Sequence, residues 1–215
     1  MGMSPAEPPS ADAPAGQVSP RERILATAKS LFYRNGIQAT GVEELASVAG
    51  VSKRTLYKLF GSKDQLTAAY LERMSQELTT NERYILSDDL PPQDRLLALF
   101  RRPPASAPFR GCPFHNAAVE LASPAHPARA VILAHKQAVV RLLTDTARQA
   151  NARDPETLGH QLAVLFEGAT ALATSIDDVA PFDYARPVAA ALIERAIPSM
   201  GESSQDPANR QPTSD

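Results

Sequence analysis

Apolar residues return every third or fourth position through most of this chain, with polar and proline-rich breaks between the runs. Ile24, Leu25, Ala28, Leu31 and Phe32 share one helical face, and Gly36 follows as a left-handed stop. Val42, Leu45, Ala46 and Ala49 repeat the spacing at i, i+3, i+4 and i+7 before Gly50. Leu56, Leu59 and Phe60 form the buried face of a third short helix opening after Ser52. Leu66, Ala69, Tyr70 and Met74 form that of a fourth, from about Lys63. The polar breaks carry start signals. Ser19-Pro20-Arg21-Glu22 is a capping box with proline at the first helical position. Thr40-Gly41-Val42-Glu43 and Ser62-Lys63-Asp64-Gln65 repeat the box, and Ser52 is a further N-cap.

Beyond residue 90 prolines punctuate the pattern. Pro91 and Pro92 precede a short helix at 93–101, and four prolines make a loop of 103–113. A helix at 113–122 ends before Pro124, and Pro127 opens a long one at 126–151. Asp154-Pro155 opens another at 155–177. Pro187 stands near the start of the last, which stops before Pro198. No run has the period of a strand. The pattern predicts an all-α chain of about nine helices. Residues 1–18 and 199–215 are rich in Pro, Ala, Ser and Gly without periodicity and are read as disordered tails.

Hydrophobic residues make up 43% of the 215 positions and aromatics only 6%, with no tryptophan, so Leu and Ala supply the core. One cysteine excludes a disulfide framework within the chain and a Cys-rich zinc site. No apolar run is long enough to span a bilayer. The first 20 residues hold neither a Lys or Arg nor an apolar stretch, so no signal peptide is read and a cytoplasmic protein is expected. The formal charge of −2 hides an asymmetry. Residues 19–63 carry eight bases and three acids, a balance of +5, leaving −7 for the rest. A basic head on an acidic body is the charge layout of a DNA-binding module attached to a body with another task.

Residues 40–66, TGVEELASVAGVSKRTLYKLFGSKDQL, read as a helix, a sharp turn at Ala49-Gly50-Val51 and a second short helix. That is the helix-turn-helix arrangement, whose second helix enters the major groove. The stretch from about residue 20 to 66 resembles the DNA-binding domain of the TetR family of bacterial transcriptional repressors. The Gly36 turn, Thr40, the AGVS run at 49–52, TLY at 55–57, Phe60 and SK at 62–63 carry the resemblance. It implies an N-terminal three-helix DNA-binding domain at 19–65 and a larger helical ligand-binding and dimerisation domain at 66–198. It also implies a DNA-binding set of Thr40, Ser52, Lys53, Arg54, Thr55, Tyr57, Lys58 and Lys63. Thr40 caps the second helix and offers its hydroxyl to a phosphate. Tyr57 and Lys63 contact phosphates, and Lys53, Arg54 and Thr55 face base edges.

In the family the last two long helices pair with the same two of a second subunit. The resemblance therefore implies a homodimer, with Leu162, Leu165, Phe166, Ala169, Leu192 and Ile193 at its interface. Cys112, beside a helix start with Arg110 and His115 nearby, is read as a packing residue closing a loop, with a thiol sensor as the alternative. Glu120 and Glu167 are expected at helix edges or hydrogen-bonded. The four histidines lack metal-ligand spacing, so neither metal nor cofactor is expected. No GxSxG, HExxH, GxxxxGK[ST] or Glu-x-x-His motif is present, so an enzyme is not expected. The expected function is a homodimeric repressor on a palindromic DNA operator, released by a small molecule bound among the helices of 93–177. An architectural or activating DNA-binding protein without a ligand, and a thiol-based electrophile or redox sensor, are the alternatives.

Overall fold

The computed structural model describes residues 18–77, 85–87, 89–104 and 109–198, and both sequence-read tails fall almost wholly outside them. Nine α-helices and no strand occur among the described residues. They are α1 Pro20–Asn35, α2 Val42–Val48, α3 Lys53–Phe60, α4 Lys63–Gln76, α5 Pro92–Ala98, α6 Pro113–Glu120, α7 Ala128–Gln149, α8 Pro155–Ile176 and α9 Pro181–Ala196.

Local chemistry accounts for most starts. The Ser19 hydroxyl accepts from the Glu22 N–H at 3.2 Å, Ser52 from Thr55 at 3.0 Å, and Ser62 from Gln65 at 3.1 Å. The Asp154 carboxylate accepts from Thr157 at 3.0 Å. Each satisfies an amide that the helix leaves unpaired. Thr40 departs from the expected capping box. The cap of α2 is Gly41, without a side-chain bond, while the buried Thr40 hydroxyl donates to the Gly36 carbonyl at 2.7 Å. A threonine hydroxyl reaches a carbonyl four residues back as readily as an amide ahead. In α9 the start is Pro181, and Pro187 lies inside the helix. Pro181 already supplies the first-turn proline, and Phe182, Ala185, Ala189 and Ile193 are buried along one face that needs the extra turns.

Two apolar clusters form the core. The first joins α1–α4 to Phe114, Ala117, Leu121, Ala128 and Ile132 of α6 and the start of α7. The second joins α5, the rest of α7, α8 and α9, with Phe166 edge-on to Phe100 and to Phe182 at 6.1 and 6.0 Å between ring centroids. Helices α7 and α8, each 22 residues long, fold back on one another across a short turn. They cross closely at Gly159, where a Cβ would stand 2.3 Å from the Thr144 hydroxyl and 2.9 Å from its backbone.

Candidate DNA-reading interface

Helices α2 and α3 are joined by a turn in which Ala49 N–H donates to Leu45 O at 3.0 Å and Val51 N–H to Ala46 O at 3.0 Å. Gly50 between them has φ +64, where a side chain is strained. Arg23 of α1 holds this turn from outside. Its Nε donates to the Ala49 carbonyl at 3.1 Å and Nη2 to that of Gly50 at 3.4 Å. Another Arg23 nitrogen, Nη1, donates to Val18 at 3.1 Å. Nothing in the local sequence marks Arg23 for this part, because its partners lie 26 and 27 residues away.

Helix α3 is anchored through Leu56, fully buried, and Phe60, whose ring lies 5.2 Å beneath the Arg21 guanidinium. Leu59, read from the sequence as a third anchor, is 40% exposed instead. Two anchors at i and i+4 suffice for a helix of two turns, and Leu59, at i+3 from Leu56, lies on the solvent-facing rim of their stripe. The opposite face presents Lys53, Arg54, Tyr57 and Lys58 to solvent. Ser52 caps the helix, and its hydroxyl pairs with that of half-buried Thr55 at 2.8 Å. Lys53 pairs with Glu43 of α2. The shared hydrogen bond holds the Glu43 carboxyl below its usual range and the Lys53 ammonium above its own. Lys63, in the first turn of α4, donates from Nζ to the Gln38 carbonyl at 3.4 Å. Six of the eight expected DNA-binding residues thus gather on α3 and its cap. Lys63 stands at the next helix start, and Thr40 is turned into the core.

The six residues expected at a subunit interface divide differently. Leu162, Ala169 and Ile193 are buried in the protomer's own second core, and Leu165, Phe166 and Leu192 are half-buried against it. The outward stripe of α8 is Val164, Gly168, Leu172 and Ile176, one helical face of mostly apolar residues. Val164 is 74% exposed, and on α9 Tyr184 and Val188 are exposed as well.

Cys112 is half-buried at the N-cap of α6. The Lys136 ammonium of α7 lies 3.5 Å from its Sγ and also pairs with the Glu167 carboxylate of α8, which stands 3.8 Å from His115 Nδ1. Glu120 is hydrogen-bonded at the far end of α6, its carboxylate accepting from the Gln38 N–H at 2.8 Å. Between these ends Tyr70 is buried, which pushes its phenol well up. No group of three or more metal-ligating side chains gathers among the described residues, nor is any helix there long and apolar enough to cross a membrane.

A short helix anchored on one side, cationic on the other, and set on a glycine turn is a helix-turn-helix DNA-reading unit. Residues 24–70 match the profile of the bacterial regulatory proteins of the tetR family. A TetR transcriptional regulator from Streptomyces avermitilis, known by its crystal structure, is 36% identical and superposes with a TM-score of 0.72, over 83% of this chain and 98% of that one. The HTH-type transcriptional repressor KstR2 of Mycobacterium tuberculosis is 32% identical over 109 residues, 50% of this chain and 52% of that protein. The HTH-type transcriptional activator FasR of Mycolicibacterium smegmatis is 37% identical over 78 residues, 36% of each chain. The match thus spans about half or less of these two curated relatives. The chain belongs to the TetR family of transcriptional regulators.

Proposed function

We propose that this regulator is a homodimeric repressor that binds a palindromic operator and is released by a small-molecule ligand. The observation that carries the reading is the pair of outward faces in one chain: the cationic face of α3 and the apolar stripe of Val164, Leu172 and Ile176 on α8. A second copy seated on that stripe joins two recognition helices in one particle, as a two-fold symmetric site requires. On the DNA, Arg54 and Lys58 project from α3 toward base edges and phosphates, and Lys63 binds a phosphate beside the next helix start. The repressor KstR2, matched over a longer stretch than the activator FasR, supports repression over activation. A ligand acts by preferring a body in which the two heads no longer match successive grooves. The test is selection from a random duplex library with sequencing of the retained fragments. Enrichment of an inverted repeat supports the reading, and equal retention of all sequences overturns it.

A second reading rests on the Lys136–Cys112 contact. Here Cys112 receives the signal by covalent addition: its sulfur bonds to the β-carbon of an activated alkene, the C=C π bond breaks, and the thiol proton ends on the α-carbon by way of solvent. The adduct displaces Lys136 and with it the Lys136–Glu167 pair. A gel-shift titration with N-ethylmaleimide separates the readings. Release of DNA by wild type but not by Cys112→Ser supports the thiol, and equal behaviour leaves Cys112 as packing.

A further inference from the structure

Besides its apolar packing, the connector that ends α6 and begins α7 makes two polar contacts with the head. At the first, Glu120 accepts the Gln38 N–H at 2.8 Å, and the Gln38 side-chain amide returns a bond to the Glu120 carbonyl at 3.4 Å. The approach is close: a Cβ on Gly36 would stand 3.3 Å from both Glu120 carboxylate oxygens. At the second, His126 lies almost fully buried with Nδ1 accepting the Ala128 N–H at 3.1 Å. Its Nε2 faces Asp64 Oδ1 at 3.3 Å, a close contact without hydrogen-bond alignment. Both points flank one residue. Lys63 precedes Asp64 in the chain, and its ammonium bonds the carbonyl of the same Gln38 whose N–H Glu120 holds. The backbone of Gln38 is therefore bracketed, its N–H on a body carboxylate and its C=O on Lys63. The Thr40 hydroxyl closes the turn onto Gly36.

We infer that Glu120 is a positioning residue for DNA binding: it holds the turn between α1 and α2, and through it Lys63, in the pose that meets a phosphate. This rests on the reading of Lys63 as a phosphate contact. It adds a direct route from body to head beside α4. Helix α6 has only eight residues, with Cys112 at one end against Lys136 and Glu120 at the other against the head.

The experiment uses the full chain and a duplex of the sequence that it enriches from a random library, with affinity measured across a salt series. Lys63→Ala lowers the salt slope by about one unit. Glu120→Ala is expected to do the same and to weaken binding about tenfold, within the range of couplings carried through packed elements. Glu120→Gln keeps a side-chain acceptor for the Gln38 N–H and loses at most about threefold by the same scale. The double variant Glu120→Ala/Lys63→Ala binds no more weakly than Lys63→Ala alone. If Glu120→Ala does not fold, Glu120→Asp, whose shorter arm withdraws the carboxylate, carries the same loss of slope. A purely structural Glu120 lowers the melting temperature while leaving the salt slope intact, and that result overturns the inference, as do additive losses in the double variant. If Lys63→Ala itself leaves the slope unchanged, the phosphate reading falls and takes the inference with it. A lowered slope in Lys63→Ala but not in Glu120→Ala removes the inference alone.

Discussion

The Arg23 guanidinium of α1 donates to the Ala49 carbonyl at 3.1 Å, so the turn of the DNA-reading unit is tied to the first helix by a charged donor. Hydrogen bonds of this type contribute about 1.5–3 kcal/mol net. Arg23→Ala is expected to destabilise the chain by about that amount and to weaken DNA binding at every sequence alike, because the turn sets the angle of α3. Thermal unfolding and binding isotherms on matched and mismatched duplexes check this. A loss confined to one operator position contradicts the turn-holding role.

Arg54 stands on the outward face of α3 without an ion-pair partner among the described residues. Its fork of donors suits a guanine edge. Arg54→Ala is expected to cost about 1–3 kcal/mol at the enriched sequence and to relax preference at one position of each half-site. A repeated selection with the variant shows which position loses its base.

The two faces of α8 give opposite outcomes for the same change. Leu162 is fully buried in the protomer, so Leu162→Glu places a charge in the core and is expected to cost about 4 kcal/mol or more. Leu172 is 53% exposed on the outer stripe, so Leu172→Glu is expected to leave the fold intact and, if the proposed dimer forms there, to separate its subunits. Sedimentation and circular dichroism on both variants measure this. Loss of fold in Leu172→Glu, or a folded monomer from Leu162→Glu, contradicts the assignment of faces.

Gly159 predicts an inversion of helix propensity. In an open helix, alanine for glycine stabilises by about 0.5–1 kcal/mol. Here the new methyl group meets the Thr144 backbone at 2.9 Å, and backbone does not yield as a flexible side chain does. Gly159→Ala is expected to destabilise by about 1–3 kcal/mol. In the Leu172→Glu background, where no second copy covers the outer stripe, Gly168→Ala meets nothing within 4 Å and is expected to raise the melting temperature.

Local signals made the all-α architecture legible. The serine caps at Ser19, Ser52 and Ser62, the apolar spacing of α1 to α4 and the cationic face of α3 all act within one or two helical turns. What the residues could not disclose depends on distant neighbours. Helix α8 has two apolar stripes, one through Leu158, Leu162, Ala169 and Ala173 and another through Val164, Leu172 and Ile176. Periodicity reports both, and only the placement of α7 and α9 decides which is filled. Thr40 had two acceptable partners within four residues, and burial decided between them. The Glu120 contact with Gln38 spans 82 residues and leaves no trace in either local pattern.

The first apolar cluster does not end where the head ends. Phe114, Ala117, Leu121, Ala128 and Ile132, all beyond residue 110, close the core that Ile24, Leu45 and Leu56 begin. The reading head is therefore a poor cassette. A chimaera that transplants residues 19–65 onto a foreign body strips these five apolar side chains, and Leu66, Ala68, Tyr70 and Leu71 of α4 with them, and leaves Tyr33 without the Arg110 N–H and the Gly111 carbonyl. The graft that keeps its stability carries α4, α6 and the first turns of α7 along, or else inherits matching residues from the recipient. Exchange of operator specificity between relatives is then easiest through the outward residues of α3 alone, a change of a few side chains rather than of a domain.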